Sequence, residues 1–198
     1  MLKKPPLLLA SASPRRKEIL EKFNYSFDIC SHSFDEETLN FKSFKSPQRF
    51  VKELAKQKAL SVNNTRKTII LAADTIVVLK NQLFGKPLDS QMAFNYLSQL
   101  QGTTHSVISA FCLLNTSNGS MILRSETSKV TFNCLTNDQI NSYINNFNPY
   151  DKAGGYGIQD CPDNFINNYT GSLFNIMGLP IYLLNRVIKD SHQVWHWL

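Results

Sequence analysis

Two rhythms of apolar residues alternate along this chain. Leu7-Leu8-Leu9-Ala10-Ser11 is a short unbroken run, expected as a buried strand. It stops at two serines. Ser13 is expected as an N-cap, and Pro14 suits a first helical position, where a missing N–H costs nothing. Ile19, Leu20 and Phe23 then share one face of a short helix. Residues 24–45 keep no rhythm and read as irregular, with an acidic cluster at Asp35-Glu36-Glu37. Ser46-Pro47 repeats the cap-and-proline signal. It leads into a helical stripe of Phe50, Val51, Leu54, Ala55 and Ala59, with Lys58 on the same side.

Thr68 to Leu79 is β-branched and nearly all apolar, a strand with a turn allowed at Asn81. A helix follows from about Asp89 to Leu100. His105–Leu114 and Ser128–Leu135 read as strands joined across the turn dipeptide Asn118-Gly119. Thr136 and Gln139 form a capping box ahead of Ile140, Tyr143, Ile144 and Phe147. Asp151–Asp160 is a Gly-rich loop, Tyr169–Pro180 is irregular, and a last helix covers roughly residues 179–190. Strands interleaved with helices predict a mixed α/β (α+β) fold. No repeat, low-complexity tract or linker divides residues 1–198, which read as one domain.

Composition narrows this picture without changing it. Apolar residues at 42% and charged residues at 18% are ordinary for a soluble globular protein. No apolar stretch approaches the roughly 18–20 residues that span a bilayer, and no export signal is visible, so no membrane and a cytoplasmic location are expected. The N-x-S/T triplets at Asn63, Asn115, Asn118 and Asn168 are then chance matches in an Asn-rich chain. Cys30, Cys112, Cys134 and Cys161 form no C-x-x-C pair and are expected as reduced, mostly buried thiols. His192 and His196 are spaced i, i+4 but belong to a terminal tail. The net charge of +6 is scattered, with no basic stripe or nucleic-acid motif. It favours a small anionic ligand over stable nucleic-acid binding.

The candidate chemistry begins where the first strand becomes a helix. A helix N-terminus offers unpaired N–H groups and partial positive charge. Ser11 and Ser13 add hydroxyls, and Arg15 and Arg16 add forked cations. Together they resemble a phosphate or carboxylate site. From this stretch alone, a capped helix with two solvated arginines accounts for the pattern equally well. Asp74 is harder to dismiss. A carboxylate on an apolar strand is costly unless it is paired or metal-bound, and Ala72 and Ala73 leave room beside it. One or two carboxylates such as Asp74 and Glu36 suit magnesium, which prefers hard oxygen ligands. Lys58 and Lys86 could each reach a phosphate. Snorkelling explains the first and turn solvation the second just as simply. Gly85-Lys86-Pro87 is not a Walker A motif.

In order, "LASASPRRKEIL", "FDEE", "LAKQKA", "AADTIVV", "GKP", "GTTHSV", "DKAGGYGIQ" and "GS…N…MGLP" resemble the motifs of the Maf family of nucleoside triphosphate pyrophosphatases. The match runs from Leu8 to about Pro180, nearly the whole chain. The resemblance implies a fold similar to inosine triphosphate pyrophosphatases: a mixed twisted sheet with flanking helices and a central cleft between two lobes. It implies hydrolysis between the α and β phosphates, dependent on a divalent cation (Mg2+ or Mn2+), giving a nucleoside monophosphate and pyrophosphate. By motif position, Asp74 becomes the general base and, with Glu36, a metal ligand. Ser11, Arg16, Lys58 and Lys86 match residues expected around the phosphates, and Arg15, Thr75 and Gln159 match positions associated with base preference.

"SPRR" with "ADT" resembles the dTTP/UTP branch rather than the 7-methyl-GTP branch. Removal of noncanonical nucleotides, restraint of septum formation and a homodimer are further implications of the family. A nucleotide-binding regulator without turnover could use the same phosphate site, but Asp74, Glu36 and both lysines argue for chemistry. The chain departs from the family pattern at Gly155, at Asp160 (usually glycine) and at Leu173-Phe174.

Overall fold

Strand β1 (Leu7–Ala10) leads into helix α1 (Pro14–Lys22), which returns the chain so that β2 (Phe27–Cys30) lies parallel to β1, Leu7 opposite Phe27. The structure, a computed structural model, describes residues 7–64 and 66–191. Helix α2 (Pro47–Leu60) then crosses to β3 (Ile69–Leu79), which pairs in parallel with the other side of β1, from Leu7 opposite Ile69 to Leu9 opposite Leu71. Next come β4 (Gln82–Phe84), α3 (Ser90–Leu100), β5 (Thr104–Asn115), β6 (Met121–Phe132) and α4 (Asn137–Phe147). Three one-turn 3-10 segments between Pro149 and Asp160 lead to β7 (Ile166–Thr170), α5 (Leu173–Met177) and α6 (Ile181–Ser191). The described strands form one mixed sheet in the order β2-β1-β3-β5-β6-β7, with β4 antiparallel to β3. No helix among the described residues is long and apolar enough to cross a membrane.

The chain forms two compact units. Unit one holds the described residues up to Asp74, Ser109–Glu126 and those from Gly178 onward. Unit two holds Thr75–Ile108 and Thr127–Met177. In unit one the stripe of α2 is buried as its spacing predicts, with Phe50, Val51, Leu54, Ala55 and Ala59 all closed off. Ser46 caps that helix by accepting from the Arg49 N–H. In unit two, Phe84, Leu97, Phe132, Tyr143 and Phe165 lie in one apolar core. Both bonds of the Thr136–Gln139 capping box are present.

Several expectations need correction. Ser13 occupies the N-cap position of α1, but its hydroxyl makes no cap bond; its N–H donates instead to Ser11 Oγ at 3.2 Å. Residues 24–45 are not wholly irregular, since they contain β2, and residues 169–180 contain the end of β7 and all of α5. Strands β2 and β7 are the two edges of the sheet, where polar residues such as Asp28, Asn167 and Asn168 blunt the open side and erase the apolar rhythm. Strand β4 follows a two-residue turn in which Lys80 and Asn81 both have positive φ, the type I′ geometry. Phe147 ends helix α4 as expected and is 40% exposed, stacked on Tyr143. All four cysteines are free, but only Cys112 is buried, while Cys134 is exposed. His192 and His196 lie outside the described residues.

Candidate active site

The strand order of unit one decides where its chemistry gathers. From β1 the chain steps to β2 on one side, yet β3 lies on the other. Such a reversal opens a crevice beyond the carboxyl ends of parallel strands. Ser11 is two residues past Leu9, and Asp74 is three past Leu71, its register partner. His32 is two past Cys30, the last residue of β2.

Five of the sequence candidates meet there. Arg16, on the first turn of α1, donates from Nη1 to Ser11 Oγ at 3.0 Å and from Nε to the Gly178 carbonyl at 2.9 Å. Ser11 is buried, 5% exposed. Lys58 rides the buried face of α2. Its ammonium lies 2.9 Å from Asp74 Oδ2 and 2.8 Å from Glu36 Oε1. It does not snorkel; it holds two carboxylates together. Glu36 sits in a 3-10 turn capped by Asp35, whose side chain accepts from the Glu37 N–H. Burial lowers the pKa of Arg16, and the Asp74 carboxylate opposes that shift; Arg15 lowers it further and Glu36 raises it. The buried cation that a structural Asp74 would need is therefore present, and it is Lys58.

His32 belongs to the same neighbourhood, and sequence reasoning missed it. Its pKa is lowered by burial first and by Lys58 next, while Glu36 and Asp74 oppose them and Arg16 adds to the lowering. Its Nδ1 is buried with no hydrogen-bond partner. The available signal was its place just beyond β2, which stayed invisible while β2 itself was unread.

The remaining candidates are described by their own surroundings. Arg15 is half-buried beside Arg16 on α1. Thr75 follows Asp74 along β3 and is half-buried, in unit two. Lys86 is exposed, on a segment anchored by the Gly85 carbonyl, which accepts from the Gly154 N–H at 2.9 Å. The loop from Lys152 to Cys161 carries Gln159, also exposed, whose Nε2 donates to Asp160 Oδ2. That loop is fastened from below. The Gly157 N–H donates to the Tyr143 hydroxyl at 2.9 Å, and Tyr156 Oη lies 2.6 Å from His105 Nε2. Cys161 is half-buried, and that partial loss of water pushes its thiol up to about 12, with Asp160 adding to the shift and Tyr143 opposing it.

A family model described as Maf-like protein matches residues 6–191. The chain belongs to the Maf family. Proteins named dTTP/UTP pyrophosphatase are among its relatives. One from Clostridium perfringens (strain SM101 / Type A) is 39% identical over 186 residues, covering 93% of this chain and 96% of the relative. Another, from Clostridium novyi (strain NT), is 40% identical with the same coverage of each chain. A third, from Desulforamulus reducens (strain ATCC BAA-1160 / DSM 100696 / MI-1), is 38% identical over 185 residues, 93% of this chain and 95% of the relative.

Whether this Maf chain suits a divalent metal can be asked of its donors. Two carboxylates, from Glu36 and Asp74, converge within 3 Å of one ammonium, and the Glu36 side chain is 40% exposed. Among the described residues, no three His, Cys, Asp or Glu side chains gather closely enough to complete a metal shell. Two hard oxygen ligands, with the rest of the shell left to phosphate and water, fit the habit of Mg2+.

Proposed function

We propose that this chain hydrolyses nucleoside triphosphates, preferring dTTP, UTP and related or modified pyrimidine nucleotides, and releases the nucleoside monophosphate and pyrophosphate. The observation that carries this reading is the buried Lys58 ammonium holding Asp74 and Glu36 together beside the Arg16–Ser11 pair. Relatives at 38–40% identity named dTTP/UTP pyrophosphatase support the choice of reaction and nucleotide.

In this reading Asp74 takes a proton from water as the water attacks the α-phosphorus, and the bond to the pyrophosphate oxygen breaks. Lys58 fixes the orientation of the Asp74 carboxylate. Arg16, Ser11, Lys58 and Lys86 hold phosphate oxygens. Arg15, Thr75 and Gln159 read the base, an assignment taken from the family pattern. Three cations, Arg15, Arg16 and Lys58, face two anions, Glu36 and Asp74, so the cluster's net charge of about +1 falls well short of a triphosphate's negative charge. Glu36 and Asp74 would therefore hold a divalent cation, Mg2+ or Mn2+. When bound, it neutralises phosphate charge and lowers the pKa of water. The reaction belongs in the cytoplasm, with the nucleotide pool.

The test is hydrolysis of dTTP or UTP in isotopically labelled water with Mg2+. Label is expected in the nucleoside monophosphate, with pyrophosphate unlabelled. Nucleoside diphosphate and orthophosphate as primary products would overturn the reading.

A further inference from the structure

Gln159 and Asp160 are consecutive residues of one 3-10 turn, and Gln159 Nε2 lies 3.1 Å from Asp160 Oδ2. A carboxylate only accepts hydrogen bonds. The contact therefore fixes the amide, with its nitrogen turned toward Asp160 and Oε1 turned away. Lys152 Nζ lies 3.6 Å from the same Oδ2 and 2.7 Å from Asp151 Oδ1, with its side chain only 11% exposed. The ammonium thus pairs with the same carboxylate oxygen that accepts from Gln159. Gly157 makes the room. A Cβ there would come within 2.5 Å of Asp160 Oδ2, 2.8 Å of Gln159 Nε2 and 2.9 Å of Lys152 Cε. Its φ of −115° is open to any residue, so the side chains above it, and not the backbone, require the glycine.

We propose that Asp160, clamped by Lys152 over Gly157, is a positioning residue. It sets the Gln159 amide so that the carbonyl oxygen is the atom offered to a nucleobase, and so favours pyrimidines with a ring N–H. The inference rests on Gln159 facing the base, as in the function proposed above. Uracil and thymine carry a hydrogen on N3; cytosine carries a lone pair there. A freely turning amide can present its NH2 group to that lone pair, whereas a clamped one meets it with a second lone pair. Asp160 stands where the family pattern has glycine, which would leave the amide unclamped.

The test measures binding, so that it does not depend on turnover. Dissociation constants for the α,β-methylene analogues of UTP and CTP are determined by calorimetry, with Mg2+, for the native chain, Asp160→Gly and Gly157→Ala. The second variant displaces only the ends of flexible side chains, and thermal unfolding checks that both variants fold. The native chain is expected to prefer the uridine analogue by about tenfold or more, and both variants to reduce that preference to about threefold or less. No preference in the native chain, an unmoved ratio in folded variants, or equal weakening of both analogues would overturn the inference. Failure to hydrolyse UTP with these ratios as expected would count against the proposed reaction alone. Turnover with an unmoved ratio would count against the positioning role alone.

Discussion

Lys58 Nζ lies 2.9 Å from Asp74 Oδ2, and both side chains are closed off from solvent, 5% and 8% exposed. Each buried charge is offset by the other, and Lys58 is also paired with Glu36. The pair joins helix α2 to strand β3, so the catalytic proposal and the stability of unit one depend on the same atoms.

Two substitutions separate those roles. Asp74→Asn leaves Lys58 its contact with Glu36 and is expected to fold, with turnover reduced by about 10²–10⁴-fold. Near-native turnover at saturating Mg2+ would remove Asp74 from the chemistry. Lys58→Met takes the ammonium away from a buried carboxylate and is expected to cost about 3–5 kcal/mol in urea unfolding. The double variant should recover part of that loss, because it removes both charges. Simple additivity would mean that the two residues are not energetically coupled.

Arg16 uses both arms of its guanidinium, one on Ser11 and one on the Gly178 carbonyl. Lysine keeps the charge but cannot reproduce the fork. Arg16→Lys is therefore expected to lose about 1 kcal/mol of stability and to raise KM for the triphosphate about tenfold, with a smaller change in kcat. Steady-state kinetics at fixed ionic strength check this. A fall in kcat with KM unchanged would place Arg16 in the transition state rather than in substrate binding.

The internal elements of the fold were legible because their two sides face different surroundings. Helix α2 shows its stripe, β3 its apolar run, and Thr136–Gln139 its cap. The edges were not legible. Strand β2 reads Phe27-Asp28-Ile29-Cys30 with no residue fully buried, and β7 is polar along most of its length. Losing β2 also hid His32. At the site, the cost of burying Asp74 was readable from one residue and its neighbours. Its pairing with Lys58 was not, because the partner lies 16 positions away on another element. The clamp on Gln159 was similarly hidden, since Lys152 and Asp160 are brought together only by the 3-10 turns between them.

Gly154 and Gly155 look alike in sequence but differ in what an added methyl would meet. Both have positive φ, 75° and 71°. A Cβ on Gly154 would stand 3.0–3.2 Å from Val77, whereas one on Gly155 meets Pro87 Cγ at an ordinary 3.5 Å. Gly155→Ala is expected to cost about 1 kcal/mol, the backbone term alone. Gly154→Ala should cost at least about 1 kcal/mol more, through crowding against β3. Urea unfolding of the two variants gives the comparison, and equal costs would show that Val77 yields freely.

His105 predicts a pH dependence. It is 2% exposed, edge-on to Phe132 and Tyr156, with Nε2 2.6 Å from the Tyr156 hydroxyl. Burial pulls its pKa from 6.5 to about 4. The unfolded chain binds this proton near pH 6.5 and the folded chain only near pH 4, so between those values the unfolded state holds more protons. The contribution to stability is complete above about pH 6.5 and is lost as pH falls toward 4, on the order of 3 kcal/mol over the full window. His105→Gln keeps a polar partner for Tyr156 but does not titrate. Its stability is expected to be lower at pH 7 and to fall less steeply between pH 7 and pH 5 than that of the native chain. Carboxylates titrate alike in both proteins, so the difference between their urea-unfolding profiles isolates the imidazole. Parallel profiles would mean that His105 takes up its proton in the folded core as readily as in water.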